Sequence, residues 1–210
     1  MKRILKYSSW TAAFILVLIL SVDIHKTGGG GTGIDTDTFD PKVYALSFLE
    51  NDLPAVLERA PEADQILKLL VTDKDQALNG FAHVLGISRS YYFLVKGEGN
   101  IKSIENEYVT IETKDGNIIK LATDFIFGNA VRDGSGLVDI DQFLNMTDFN
   151  NVSIEINKLI KERVIKGFKE QVRTDMQIRF SGAFEINMDD LNLSEVIMIP
   201  VSLNVQNGRE

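Results

Sequence analysis

The stretch from Tyr91 to Val131 constrains the fold most, because it reads as three or four closely spaced β-strands. Tyr91-Tyr92-Phe93-Leu94-Val95-Lys96-Gly97-Glu98-Gly99 is dense in aromatic and β-branched residues and is stopped by glycines. That pattern suits a half-buried strand curving at a barrel corner. In Glu107 to Thr113, Tyr108, Thr110 and Glu112 take one face and Val109, Ile111 and Thr113 the other. Lys114-Asp115-Gly116-Asn117 turns the chain, since Asp-Gly tolerates the positive φ of a tight hairpin, and Ile118 to Ala122 returns antiparallel. Thr123 to Asp133 reads as a further strand ending in a charged pair. A small β-barrel or sandwich follows, which the rest of the chain must cover.

Upstream lies a helical segment. Phe39-Asp40-Pro41 supplies an N-cap acid and a proline at the first helical position, where the missing N–H costs nothing. Pro54 restarts or kinks this helix. A second helix opens at Ala60-Pro61-Glu62 with Ile66, Leu67, Leu69, Leu70 and Val71 as its apolar face, and a third follows Thr72-Asp73 and runs to Gly86. His83 falls on that third helix with no carboxylate or second His at ligand spacing, so its expected role is structural.

Downstream, Leu137 to Phe143 is a short strand or helical turn, and Val152, Ile156, Leu159, Ile160, Val164 and Phe168 recur at helical spacing. They mark the longest helix beyond the leader, over about 147–170, with Gly167 weakening its end. Two last strands are Met176 to Ile186, with Met176, Ile178, Phe180, Gly182, Phe184 and Ile186 on one face, and Val196 to Val205, where Pro200 marks an edge or bulge. The fold class is α+β: an N-terminal helical subdomain (39–90) and a small antiparallel β-barrel of the oligonucleotide-fold type (91–210) with one long inserted helix.

Function is bounded by what the chain lacks. With no cysteine among 210 residues, disulfides, thiol catalysis, thiolate metal sites and a thioether-linked lipid are excluded. The net charge of −8 speaks against non-specific nucleic-acid binding, which rests on phosphate neutralisation by Lys and Arg. Lys2, Arg3 and Lys6 precede the apolar run Trp10 to Val22, the layout of an export signal or membrane anchor with the body outside the cytoplasm. Residues 1–26 are therefore expected to be a membrane anchor or signal. Thr27-Gly28-Gly29-Gly30-Gly31-Thr32-Gly33 begins a flexible linker over 27–38, because it offers no side chains to pack. Asp133-Gly134-Ser135-Gly136 invites a calcium reading, but Leu144 stands where a calcium loop needs its bidentate Glu. No metal and no cofactor is expected.

Four motifs carry a resemblance: Phe39-Asp40-Pro41; Tyr92-Phe93-Leu94-Val95-Lys96-Gly97-x-Gly99; Gly128-x-Ala130-x-Arg132-Asp133; and Phe180-Ser181-Gly182-Ala183-Phe184. In order and spacing they resemble the family of predicted periplasmic lipoproteins, domain of unknown function family 2291, over about Phe39 to Val205. The resemblance implies an envelope location, helices plus an oligonucleotide-fold-like barrel, and genes neighbouring sugar importers, with no established activity. Leu20-Ser21-Val22-Asp23 departs from the pattern, having no residue to carry a lipid, and a protein anchor is the natural substitute.

The expected function is a membrane-tethered extracytoplasmic module at the bacterial inner membrane, its body in the periplasm, assisting a carbohydrate ABC uptake system. Its partners would be the transporter or its binding protein, and its ligand a sugar. Lys96, Arg132 and Asp133 are the ligand-binding candidates, since each ends or interrupts an otherwise apolar strand and could fix a hydroxylated ligand at a barrel mouth. The plainer alternative is that Arg132 and Asp133 pair with each other. A structural or assembly protein docking a partner is the second reading. A glycan-acting enzyme using Asp139 and Asp141 is the third and weakest, so no catalytic residue is assigned.

Overall fold

The computed structural model describes residues 39–190 and 192–206; the basic leader, the apolar run and the glycine spacer lie outside the described residues. Among the described residues no helix is long and apolar enough to cross a membrane.

Helix α1 (Pro41–Ser47) starts where the sequence predicts, with the Asp40 carboxylate accepting from the backbone N–H of Lys42 at 2.8 Å and of Val43 at 3.3 Å. It runs through a π-helical turn (Phe48–Asp52) into α2 (Leu53–Arg59), which carries Pro54 in its first turn. Helices α3 (Ala63–Thr72) and α4 (Lys74–Phe81) follow, α4 capped by Asp73. The expected extension of α4 to Gly86 does not form. His83 instead exchanges two backbone hydrogen bonds with Tyr92, at 2.9 and 2.8 Å, and these take the chain out of the helical ladder.

Strands β1 (Ser90–Ile104), β2 (Tyr108–Thr113), β3 (Ile118–Ala122), β4 (Gln177–Asn187) and β5 (Val196–Gln206) close into a barrel in the order β1-β2-β3-β5-β4. All pairs are antiparallel except β3 with β5. With helices inserted between β3 and β4, this is the oligonucleotide-fold arrangement. The expected strand over Thr123 to Asp133 is a correction: pairing stops at Ala122, Gly128 adopts φ 90°, and residues Ala130–Gly134 coil as α5. A short 3-10 turn (Ile140–Gln142) leads to α6 (Met146–Ile160). The long helix expected over 147–170 is present as one continuous helical run, α6 passing through a π-helical turn (Lys161–Ile165) into α7 (Lys166–Gln171).

Two apolar cores share one sheet. Inside the barrel, Phe93, Val95, Ile111, Leu121, Ile178, Phe180, Phe184 and Met198 pack together, and Phe93 stacks on Phe184 with ring centroids 5.2 Å apart. Ile66, Leu67 and Leu70 of α3 and Phe168 of α7 join this core, so the helical segment and the barrel are packed as one. Outside the barrel, α1, α5 and α6 lay Ala45, Val131, Phe149, Val152 and Ile156 over Tyr92, Leu94, Ala183 and Ile199. The run Tyr92-Phe93-Leu94-Val95 is thus buried on both faces and not the half-buried strand expected from its composition. Fully burying each phenylalanine in these cores contributes about 1.5–3 kcal/mol.

Gly182 is where the two layers press hardest. A Cβ there would meet the carbonyl oxygen of Ile199 at 2.5 Å and the Met198 side chain at 2.9 Å, beside the bulge where Ser181 and Gly182 face Ser202 and Pro200. Because the nearest obstacle is backbone, Gly182→Ala is expected to lower stability by about 1–3 kcal/mol. Urea denaturation of the full chain in mild detergent, followed by circular dichroism, checks this.

Candidate functional site

The outward positions of β1, β4 and β5 change character along their length. On β1 they run Tyr92, Leu94, Lys96, Glu98; on β4 they run Ala183, Ser181, Arg179; on β5 they run Ile199, Ser202, Asn204. The apolar half is sealed by α1, α5 and α6. The polar half stays open as a groove of about 670 Å³, walled by Pro54, Leu57 and Glu58 of α2, by Glu62 and Asp64 at the start of α3, and by Lys114 of the β2–β3 turn.

Lys96 stands in this groove, and its surroundings show how wall and floor are joined. Its backbone N–H donates to the Pro61 carbonyl at 3.0 Å, and its ammonium donates to the Glu58 carbonyl at 2.6 Å. A cation at the C-terminal end of α2 also complements that helix's dipole. One ammonium N–H is therefore committed to holding α2 against the sheet, which leaves two for a ligand.

On the floor, Arg179 donates its Nε–H to Glu98 at 2.7 Å and Gln206 donates to the same oxygen at 3.2 Å. Those two bonds, Arg179's first, hold the Glu98 carboxyl below its ordinary range. Ser181, Ser202 and Asn204 add hydroxyl and amide groups beside the pair. Such a lining can donate to and accept from a small polar molecule, and among the described residues no cluster of His, Cys, Asp or Glu could hold a metal ion.

Arg132 and Asp133 do not join Lys96. They lie on α5, not on a strand, and are buried, Arg132 to 1% exposure. The guanidinium donates Nε–H to Asp133 Oδ1 at 2.7 Å, Nη2–H to Oδ2 at 3.2 Å and Nη1–H to the Phe149 carbonyl at 2.8 Å. It also sits 3.5 Å from the centroid of the Phe149 ring. Asp133 borders a second cavity of about 540 Å³ with His83, Gly136 and Asp139, but both its oxygens are taken by Arg132. The Asp139 carboxylate, offered as half of a catalytic pair, caps the N–H of Asp141 at 3.1 Å. Burial, then the charges of Glu185 and Asp133, raise the nearby Tyr92 phenol above its ordinary value.

Asp64, Glu98, Arg179, Ser181, Ser202 and Asn204 are groove residues that the sequence reading passed over. The signal for the strand residues was legible: three strands turn from apolar to polar at their outward positions within a few residues of each other in the barrel.

Removing one partner of the buried pair leaves a charge without solvent or counter-ion. Arg132→Met is therefore expected to cost about 3–5 kcal/mol, and Arg132→Met with Asp133→Leu less than the single change. Chemical denaturation of both variants and the wild type checks the ordering.

The chain is similar to a solved OB-fold protein from Thermotoga maritima, with 26% identity, covering 80% of this chain and 99% of the other, at a TM-score of 0.73. No curated protein matches the sequence. The family model described as predicted periplasmic lipoprotein (DUF2291) matches residues 12–204, and the chain belongs to that family.

Proposed function

We propose that the chain is an envelope-tethered binding module that takes a small hydroxylated ligand in the groove between α2 and the β1–β4–β5 sheet, as an accessory of a carbohydrate ABC uptake system. The observation that carries this reading is the open polar half of an otherwise covered sheet face, where Lys96, Ser181, Ser202 and Asn204 line one concavity of about 670 Å³. That volume suits a small ligand, and polar groups converging on a partly apolar wall are what such a site needs. The anchoring part of the proposal rests on the basic, then apolar leader.

Nucleic acid fits the barrel poorly. On the β1–β2–β3 face that oligonucleotide-fold barrels use for strands, Lys102 pairs with Glu112 and Lys120 with Glu195, each at 2.9 Å. Those lysines have no charge to spare for phosphates. Docking of a protein partner is the second reading, favoured by Phe125 and Phe127, which stand 59% and 77% exposed on the loop after β3.

Isothermal titration of the full chain in mild detergent against aldopentoses and aldohexoses should give saturable heat with at least one, weakened about 10-fold by Lys96→Met. Heat with no sugar, together with a stable protein neighbour found by crosslinking in native membranes, would move the assignment to the docking reading.

A further inference from the structure

The groove contains one buried carboxylate, and the fold uses only one of its two oxygens. Asp64, in the first turn of α3, is only 8% exposed, and its Oδ1 accepts two hydrogen bonds, from the Thr113 hydroxyl and from Asn117 Nδ2 at 2.7 Å. The Thr113 hydroxyl in turn accepts from the Asn117 backbone N–H at 3.2 Å. Oδ1 thereby fastens α3 to the β2–β3 turn. Oδ2 has no donor among the described residues, and it is not among the buried side-chain atoms that lack a partner, which are Ser153 Oγ and Glu155 Oε2. Oδ2 is therefore not sealed from solvent, and the groove is the cavity that Asp64 lines. A carboxylate this deeply seated, with one oxygen fixed and the other facing a cavity, is held in place before any ligand arrives.

We propose that Asp64 Oδ2 is the anchoring acceptor of the groove and that the ligand it takes is neutral and rich in hydroxyl groups. This rests on the groove being the binding site. The charge pattern selects the class. An anion entering would face Asp64, Glu58 and Glu62, and a cation would face Lys96, Lys114 and Arg179. A hydroxyl escapes both penalties, because it donates to the carboxylate and accepts from an ammonium at once. Glu58, Glu62 and Glu98 are exposed carboxylates, so Asp64 is the buried, prepositioned acceptor of the lining, with ammonium donors to spare on Lys96 and Lys114.

Asp64→Asn separates this role from the structural one. Asparagine keeps an oxygen for Thr113 and Asn117 and puts an NH₂ where Oδ2 stood, turning the free acceptor into a donor. Titration of the full chain in detergent with aldopentoses and aldohexoses should show affinity about 10- to 100-fold weaker in Asp64→Asn than in wild type. Thr113→Val, which loosens the latch but leaves Oδ2, should lower Tm by about 2–4 °C and keep the affinity. In the wild type the Asp64 ¹³Cγ resonance should move as sugar is added, a readout that holds even if Asp64→Asn does not fold. Equal sugar affinity in Asp64→Asn, or an unmoved Asp64 resonance during sugar binding, overturns the assignment of Asp64 while leaving the groove in place. Binding of L-alanine in preference to every sugar overturns the ligand class. Absence of binding by the wild type overturns this inference together with the groove reading.

Discussion

The structure depends on one sheet segment being buried from both sides. The β1–β4 ladder runs without a break from Ser90–Asn187 to Asn100–Gln177, so its backbone groups are satisfied within the sheet and both its faces are available for apolar packing. The inner face closes on the barrel core, and the outer face takes the α1–α5–α6 layer. Neither layer is complete without the other's support. Gly182 and Ala183 show how tight the arrangement is, with the first leaving no room for a Cβ and the second fully buried against the helices.

The buried charges serve this layering. Arg132 fills the space between α5, α6 and the sheet, and each of its bonds goes to a neighbour in the protein. Its ring contact with Phe149 ties it to the aromatic cluster of Phe143, Tyr44 and Phe39 at the first helix. A polar pair at such depth contributes little net stability compared with well-packed apolar groups. What it provides here is a fixed position for α5, whose single turn has few residues with which to hold itself. At the open end of the same sheet the polar groups are less fully committed: the Lys96 ammonium makes one structural bond, and Asp64, facing it from α3, takes two on a single oxygen.

Much of this architecture was legible in residue patterns. Asp40-Pro41 announced its helix, Asp115-Gly116 its hairpin, and Pro200 its bulge, because each acts through backbone geometry that no distant residue can override. The errors came where tertiary contacts decided. Thr123 to Asp133 has a strand's composition, yet Phe125 and Phe127 are exposed and Val131 packs from a helix. Val84 and Leu85 fit a helical stripe, but the ladder of β1 captured His83 first. Of the three residues singled out for binding, Lys96 lies in the groove and Arg132 and Asp133 are occupied with each other. Asp64 was invisible because its meaning comes from Thr113 and Asn117, which are brought to it only by the fold.

The barrel's one parallel seam has a consequence for how the chain matures. Strand β3 meets β5 only at Ile119–Val196, Lys120–Ile197 and Leu121–Met198, and β5 also completes β4. The interior thus cannot shut until β5, the last of the five strands in chain order, is in place. Until then the apolar sides of α3 and α4 have only a partly built wall to lean on, and the β3–β5 seam joins residues far apart in the chain, a kind of contact that slows folding. A barrel of this design is completed by the docking of β5, and the strands made before it keep apolar surface uncovered until that seam forms.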